Sequence, residues 1–445
     1  MKLLLLLLLP ILIKAQGGNT CVQALAAPLP FNSPISTNTC GQGNDFSTLL
    51  PCMSNNPINA NDYLYAIIPA TNGMITVNLT NIIVNQTFIN HTMYASITAY
   101  LGCPTLGNCI SHNFVIINHI LTYTTSISFE ATAGQTYYIL VDGWRAAINW
   151  ADCFAYTITS SITPIPVNNG CANDGFAQSL TGWFGSQGLA LRNTVGQPIP
   201  FYNPTVGTIG APRITVAPSF SDICLPFTVI SPLGGNFVRL GRQVINREAN
   251  RISYRYTVTM ASSSFTYAFL PVLQDPVHLA HEQPFFEAMV ILPNGTQIPC
   301  SRYIVSASQG LAGYVTSTLC TSPAVIYRPW SLVNIDLSDY IGQTVTVQFT
   351  SGGCSQSAHW GYTYIDYQCS QSPFVETDYE ICVGACLTLP QPLGYASYVW
   401  NPSQTVCPLV DINPTLNLVS ANGCIRTINF DVDVKPEPLI NLNAN

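Results

Sequence analysis

The chain has 445 residues, a formal net charge of −7 at pH 7, and only 8% charged residues against 48% hydrophobic ones. A chain of this length exceeds one ordinary domain, and we expect about two to four. Lys435 is the only lysine after the first 14 residues, so no basic stripe exists that could neutralise a phosphate backbone. This argues against nucleic acid as a partner, while the low charge with 30 Gly, 32 Pro and 22 Tyr is typical of β-sandwiches.

The N-terminal residues 1–16, MKLLLLLLLPILIKAQ, have a basic start, an apolar run and a cleavage point near Ala15 and Gln16. The run is too short to span a bilayer and predicts a secretory signal peptide. Gly, Pro, Asn and Thr interrupt every later apolar stretch, so we predict no transmembrane segment. We therefore expect a secreted, extracellular or cell-surface protein.

All 16 cysteines follow this leader, and an even number in an exported chain predicts disulfides. Zinc is the alternative, but no Cys-x2-Cys pair is matched by a second pair or by histidines at ligand spacing. The cysteines fall into groups of six, six and four along the chain. The predicted pairs are Cys21–Cys153, Cys40–Cys52, Cys103–Cys109, Cys171–Cys369, Cys300–Cys320, Cys224–Cys354, Cys382–Cys424 and Cys386–Cys407.

Residues 17–162 contain strand-like runs separated by Gly, Asn and Pro, which predict an antiparallel sandwich. The segments CGQGNDFSTLLPC, NDYLYAI, AYLGCPTLGNC and FEATAGQTYYILVDG resemble the bacterial pre-peptidase C-terminal-like β-sandwich. That resemblance implies a non-catalytic accessory module. Asp142 and Asp152 could hold calcium in strand-end loops, but ordinary turn aspartates are the preferred interpretation.

A Pro-rich linker, residues 163–169, leads into a second module, residues 170–371. Two of its segments, ANRISYRYTVT and TVTVQFT, alternate apolar and polar residues with the period of a strand. The first buries Ile252 and Tyr254 and turns Arg251 and Arg255 outward. This pattern predicts strands with one buried and one solvated face, or alternatively a face on which the two arginines bind an acidic glycan.

The opening of this module, GCANDGFAQSLTGWFG, resembles the first strand of a galactose-binding-like jelly roll. The segments GGNFVRLG, ANRISYRYTVTM and HWGYTYIDYQC resemble a module of large secreted surface proteins in gliding Bacteroidetes, which are associated with gliding motility and adhesion. The resemblance implies binding without catalysis and a possible structural calcium ion. Phe176-Ala177 stands where such jelly rolls often carry Phe-Glu, which leaves Asp366 as the candidate calcium ligand. His359-Trp360-Gly361 stands where the module usually has His-Phe-Gly.

The stretch from Cys354 to Cys369 is the first place to look for a site, because it gathers His359, Trp360 and Tyr362 within four residues. Either the aromatic side chains fill the core, which is the commoner use, or Trp360 and its neighbours form a stacking platform for a ligand. The candidate ligand-binding residues are His359, Trp360, Tyr362, Arg251 and Arg255.

The segment HLAHEQPFFE suggests a metal site with His278, His281, Glu282 and Glu287. Its order is H-x-x-H-E, whereas a zincin helix needs H-E-x-x-H, and Pro284 breaks any helix here. We therefore predict a loop joining two strands. No nucleophile motif or phosphate loop is present, so no enzyme is predicted, and a glycosidase could use only Glu282, Glu287 and Asp366.

Residues 375–437, with the strand YEICVGACLTL and a buried Trp400 on a middle strand, resemble a small immunoglobulin-like or polycystic-kidney-disease-like spacer, followed by a tail, 438–445. The whole chain is predicted to be all-β, with three tandem sandwich modules stapled by disulfides. It requires no cofactor and binds an extracellular polysaccharide or a surface protein through the jelly roll, as an adhesin does. The alternative is the accessory region of a secreted peptidase or glycosidase whose catalytic domain is not in this chain.

Overall fold

The computed structural model describes residues 17–43, 45–46, 61–84, 93–105, 108–117, 122–145, 153–191, 199–202, 213–245, 247–308, 310–375, 377–420 and 423–436. These residues form 31 strands, one α-helix and four 3₁₀ turns, which confirms the all-β prediction. The predicted leader, Cys52 and Asp152 lie outside them. No helix in these ranges is long and apolar enough to cross a membrane.

The chain divides into two compact units, one of Met1–Ile165 with Tyr202–Thr205, the other of Pro166–Phe201 with Val206–Asn445. The elements of the first unit are α1 Cys21–Ala26, β1 Ile35–Asn38, β2 Tyr63–Ile67, β3 Gly73–Val84, β4 Met93–Leu101, β5 Asn108–Ile117, β6 Tyr123–Ala131, β7 Tyr137–Arg145 and β8 Phe154–Thr163. They form two four-stranded sheets, β1-β8-β3-β6 and β2-β7-β4-β5. Alternate side chains such as Ile75, Val77 and Leu79 of β3 are fully buried between them, because a strand turns every second side chain to the same face.

Two carboxyl groups are buried in the first unit. Asp62 and Asp142 are both 0% exposed. Asp62 accepts backbone hydrogen bonds from Phe46 N at 2.9 Å and from Asp45, and Asp142 accepts one from Gly143 N at 2.5 Å. Asp142 lies inside β7, so the interpretation as an ordinary turn aspartate is wrong. Burial raises the pKa of Asp62 to about 6 and that of Asp142 well above its usual value, to which the neighbouring Asp62 adds.

The larger part of the second unit is a jelly-roll-like sandwich. Its strands are β9 Asn168–Asn169, β10 Trp183–Leu191, β11 Ile199–Tyr202, β12 Ile214–Ala217, β13 Phe220–Ser221, β14 Thr228–Val229, β15 Phe237–Gly241, β16 Glu248–Thr257, β17 Ser264–Asp275, β18 Phe285–Ile291, β19 Tyr303–Ser306, β20 Val315–Thr321, β21 Ala324–Tyr327, β22 Ser331–Asp336, β23 Thr344–Gly352 and β24 Gly361–Ser370. The 3₁₀ turns are Asp174–Phe176, Met260–Ser262, Ala280–Glu282 and Ser338–Tyr340. The first large sheet has the order β11-β10-β16-β23-β18-β19 with β9 on β16, and the second has β12-β15-β24-β17-β21-β20 with β22 on β17.

The alternation predicted for β16 and β23 is present, but the outer face is not solvated as predicted. Val345, Val347 and Phe349 are buried in the core between the two large sheets. On the other face, however, Thr346 is 1% exposed and Arg255 only 4%. β23 lies between β16 and β18, and the Nε of Arg255 donates to Thr346 Oγ1 at 3.2 Å. Burial lowers the pKa of Arg255 to about 10.

The rest of the second unit is a small module of short strands. They are β25 Asp378–Cys382, β26 Leu387–Thr388, β27 Tyr395–Asn401, β28 Thr405–Val406, β29 Thr415–Ser420, β30 Ile425–Asn429 and β31 Asp431–Lys435. The sheets are β25-β31, β26-β28 and β27-β29-β30. Trp400 was predicted on a middle strand, which is wrong: β27 is an edge strand, and the half-buried Trp400 ring stacks on Phe430 with centroids 5.6 Å apart.

The predicted pairs Cys171–Cys369 and Cys386–Cys407 are confirmed. Six predicted pairs are wrong: Cys21–Cys153, Cys40–Cys52, Cys103–Cys109, Cys300–Cys320, Cys224–Cys354 and Cys382–Cys424. The structure instead joins Cys21–Cys103, Cys40–Cys153, Cys224–Cys320 and Cys300–Cys424. Cys354, which is buried, and Cys382, which is exposed, are thiols. Strand pairing decides these bonds: Asn38 of β1 lies opposite Ala155 of β8, which brings Cys40 to Cys153.

Arg426 holds the small module against the jelly roll, and its removal gives a testable stability change. Its guanidinium pairs with the buried Asp336 and lies 4.0 Å from the centre of the Phe374 ring. Arg426→Ala is expected to lower the free energy of unfolding by about 2 kcal/mol, since it leaves a buried carboxylate with neutral donors only. Urea unfolding measures this. Lys435→Ala, which removes only exposed ion pairs, is the control and should change nothing; equal effects would contradict the prediction.

Candidate functional site

The aromatic residues of the Cys354–Cys369 stretch are buried. Trp360 is 9% exposed and Tyr362 1%. They belong to a cluster on the outer face of the second large sheet, with Phe237 and Leu225, whereas Ile365 and Tyr367 of the same strand face the core between the sheets. Packing in a core is therefore confirmed, although this is a second core. The stacking-platform interpretation is wrong for Trp360 and Tyr362.

Asp222 fixes the polar ends of this cluster. Its Oδ2 accepts from the hydroxyl groups of Tyr362 at 2.7 Å and Tyr364 at 2.6 Å. Burial and the Asp222 charge raise the pKa of both phenols, which therefore donate as neutral groups. These hydrogen bonds satisfy buried hydroxyl groups inside the protein and leave no exposed sugar-binding surface at Trp360 or Tyr362.

Arg251 and Arg255 lie on β16 and face the same outer side of the first large sheet, with Ser253 between them. Arg251 Nε donates to Thr350 Oγ1 at 3.0 Å, in the same way that Arg255 donates to Thr346. Arg255 is buried and Arg251 half-buried. The binding of an acidic glycan by this pair stays a prediction.

His359 lies with His278 and Cys354. Cys354 Sγ is 3.3 Å from His278 Nδ1, and the two imidazole rings meet edge to face with centroids 5.1 Å apart. One nitrogen from each histidine and the sulfur all lie within 4.8 Å of one another. Burial and the neighbouring His278 lower the pKa of His359, which favours the neutral imidazole.

The other residues of the HLAHEQPFFE segment do not join His278. Glu282 accepts from Gln356 Nε2 at 2.8 Å, and Glu287 pairs with Arg302 at 2.7 Å. Residues 276–284 form a loop between β17 and β18 with one 3₁₀ turn, which confirms the predicted connection, and residues 285–287 of the segment belong to β18. Sequence reasoning missed that His278 finds its neighbours 76 and more residues later in the chain, because spacing within one loop carries no such signal.

Asp366, the candidate calcium ligand, is buried and engaged by protein donors. Its Oδ1 accepts from Tyr367 N at 2.7 Å and its Oδ2 from the Ser231 hydroxyl. Burial raises the pKa of Asp366 to about 6, although these hydrogen bonds act in the opposite direction. A structural calcium ion at Asp366 stays a prediction.

A cavity of about 360 Å³ lies between the jelly roll and the small module, and we call it the module cleft. The jelly-roll side is lined by Ser264, Thr266, Asn334 and Gln368, and the small-module side by Tyr379, Gln391 and Leu393. Residues 370–373 and prolines 390 and 392 complete the wall. Every described residue that lines the cleft is uncharged.

Covalent and polar interactions connect the two modules that line the cleft. The Cys300–Cys424 disulfide and the Arg426–Asp336 pair cross the junction. Asn334 N also donates to Gly394 O at 3.1 Å. Sequence reasoning did not find this site, because its residues come from separate strands and loops between positions 264 and 393, and no motif connects them.

No family model matches the chain, and no curated protein matches it. Among solved structures, the chain is similar to the TmCBM61 module in complex with beta-1,4-galactotriose, with 11% identity, 46% of this chain and 99% of that chain covered, and a TM-score of 0.25. It is also similar to the carbohydrate-binding module TmCBM27, described for specific mannan recognition, with 12% identity, 44% and 92% coverage, and a TM-score of 0.23. A third likeness is the CBM22-1-CBM22-2 tandem domain of Paenibacillus barcinonensis Xyn10C, with 8% identity, 77% and 92% coverage, and a TM-score of 0.20. TM-scores this low carry no argument about the ligand of this protein.

Proposed function

We propose that this protein is an exported, non-catalytic binding protein that takes a neutral saccharide of an extracellular polymer in the module cleft. The observation that carries the proposal is the lining of the cleft, which combines hydroxyl and amide groups with a tyrosine ring and prolines and has no charged side chain among its described residues. Its volume falls within the range of about 300–1,000 Å³ that small-ligand pockets occupy.

The hydroxyl groups of the cleft are oriented to donate. Asn334 Nδ2 donates to Ser264 Oγ at 2.7 Å and to Thr266 Oγ1 at 2.8 Å. A hydroxyl that accepts from Asn334 keeps its own proton for another acceptor. Across the cleft, Trp400 Nε1 donates to Gln391 Oε1 at 3.1 Å, which fixes the orientation of that amide. Such groups match the hydroxyl oxygens of a sugar.

The apolar part of the lining matches the C–H face of a sugar ring, which carries no hydroxyl groups that need hydrogen-bond partners. The half-buried Tyr379 ring and the prolines give flat apolar surface, which suits the C–H face of a pyranose. A charged ligand would lose its hydration in the cleft without a charged partner from the described lining, at a cost of several kcal/mol. The chemistry therefore favours a neutral saccharide over a uronic acid or a sulfated sugar.

Export is supported by the leader-like sequence of residues 1–16 and by the six disulfides among the described residues. Attachment to the cell surface as an adhesin, or service as the accessory region of a secreted hydrolase, would both use the same cleft. Glu282, Glu287 and Asp366 lie on three different elements and are each held by other side chains, which supports a binding role.

Binding to neutral polysaccharides, measured by glycan array and affinity electrophoresis with the full chain, tests the proposal. Gln391→Ala and Tyr379→Ala are each expected to weaken retention up to about tenfold, because each removes one hydrogen-bonding or stacking group. Arg251→Ala, at a residue that does not line the cleft, is the matched control and should bind as the parent protein does. Retention on acidic polysaccharide that is lost in Arg251→Ala and unchanged in the cleft variants would overturn the proposal.

A further inference from the structure

Three metal-ligating side chains converge at one end of the second large sheet, away from the residues that line the module cleft. His278 follows β17, while Cys354 and His359 begin and end the turn between β23 and β24. Cys354 is fully buried and the two histidines are half-buried. The Nδ1 atom of His359 is buried and has no hydrogen-bond partner among the described residues. The cluster thus contains an unsatisfied nitrogen donor.

Hydrogen bonds hold the turn that carries two of these ligands. Cys354 N donates to His359 O at 2.9 Å, and Ser357 N donates to Cys354 O at 3.1 Å, which brings both ends of the turn together. Ser355 N donates to Glu282 O at 3.1 Å, which ties the turn to the loop that carries His278. The sulfur and the two rings therefore sit on a scaffold that is ordered by backbone contacts.

The loop that carries His278 is fixed in a similar way. Gln283 Nε2 donates to Asp275 Oδ1 at 2.8 Å and to His278 O at 3.3 Å, and Val277 N also donates to Asp275 Oδ1 at 3.0 Å. Gln356 N donates to Cys354 Sγ at 3.2 Å. A backbone N–H that points at sulfur stabilises the thiolate form, which is the form that ligates metals.

We propose that His278, Cys354 and His359 form a binding site for a late first-row transition-metal ion, zinc or copper. Zinc bonds of about 2.3 Å to sulfur and about 2.0–2.1 Å to nitrogen place tetrahedral ligand atoms about 3.6 Å apart, near the 3.3 Å between Cys354 Sγ and His278 Nδ1. One thiolate and two imidazoles suit zinc or copper, whereas calcium and magnesium take oxygen ligands. The ion would join the loop after β17 to the turn before β24.

A catalytic cysteine is the competing interpretation of a sulfur 3.3 Å from an imidazole. It is disfavoured because Cys354 is 0% exposed, so no substrate carbonyl reaches the sulfur, while a nucleophile has to be accessible. The second imidazole, with its unsatisfied Nδ1, has no role in a cysteine–histidine pair but completes a three-ligand metal site.

Cobalt titration of the full-length protein tests this site, because cobalt bound to a thiolate gives a near-ultraviolet charge-transfer band and intense visible bands. We expect one cobalt ion to bind per chain. Zinc or copper should displace it, depending on which of these two ions the site binds more tightly. Cys354→Ser should lose the charge-transfer band, and His278→Gln and His359→Gln should each weaken binding by more than about 100-fold. Far-ultraviolet circular dichroism checks that each variant is folded.

Cys382→Ser is the matched control, because Cys382 is the exposed thiol and lies in the small module. This variant should keep the band and the stoichiometry. A band that disappears with Cys382 instead of Cys354, no cobalt binding by a folded protein whose Cys354 is shown to be reduced, or a Cys354 found in a disulfide would each overturn the proposal. Saccharide retention is measured on the same samples, so a failure of the metal site and a failure of the cleft are told apart.

Discussion

Replacing Phe349 with alanine is expected to lower the free energy of unfolding of the second unit by about 4 kcal/mol. Phe349 is fully buried between the two large sheets, and its ring centroid lies 5.1 Å from that of Tyr267 and 5.9 Å from that of Trp183. The substitution removes buried apolar surface and leaves a cavity that rigid strands cannot close. Urea unfolding followed by near-ultraviolet circular dichroism measures the loss, since the signal arises from these rings.

Two variants control for this effect. Phe349→Leu should cost less than the alanine variant, because it refills part of the cavity. Leu319→Ala removes a side chain that is 56% exposed and should change the free energy of unfolding by less than about 0.5 kcal/mol. A Phe349→Ala protein as stable as Leu319→Ala would mean that the core of this unit is not where the two sheets meet.

The second large effect is expected in the first unit, which should become more stable when the pH falls from 7 to 5. The pKa of Asp62 is about 6 in the folded protein against 3.8 as its ordinary value, and the pKa of Asp142 is raised too. The folded state therefore binds more protons than the unfolded state across this range. The stability linked to Asp62 is fully present below pH 3.8 and is lost as the pH rises through about 6, and the raised pKa of Asp142 acts in the same direction. A gain on the order of 2 kcal/mol is expected.

Scanning calorimetry of the full chain at pH 5, 6 and 7 measures this gain. Asp142→Asn should raise the midpoint at pH 7 and flatten its pH dependence, because it removes one of two neighbouring buried charges. Asp378→Asn, an exposed carboxylate of the small module, should leave the dependence unchanged. A midpoint that falls on acidification and rises with added calcium at pH 7 would contradict the prediction and favour a cation at Asp142.

The alternation of side chains along β16 and β23 was readable from the sequence because it depends on the backbone geometry of one strand. The sequence did not show whether the outer face is exposed to solvent, because that depends on which other elements of the fold cover it. Thr346 and Arg255 alternate with apolar residues as solvated positions do, yet they are 1% and 4% exposed. Trp360 and Tyr362 show the same limit, because they pack on the outer face of their sheet in a second core.

The disulfides show that closeness in the sequence is a poor guide to which cysteines pair. The predicted pairs Cys40–Cys52 and Cys103–Cys109 each join cysteines that are close in sequence, whereas Cys40 and Cys103 bond to Cys153 and Cys21, 113 and 82 residues away. In antiparallel sheets the strands that pair are set by the connections of the fold, which no local pattern records.

The sequence alone therefore determined the all-β class, the alternation of the main strands and the loop between β17 and β18, because each follows from the local preferences of neighbouring residues. Only the tertiary structure decided which surfaces are buried and where side chains gather. His278 and Cys354 are 76 residues apart, and the module cleft combines strands with residues beyond position 370. Sites of this kind form when sheets and modules pack against each other, so the residues that build them carry no sign of one another along the chain.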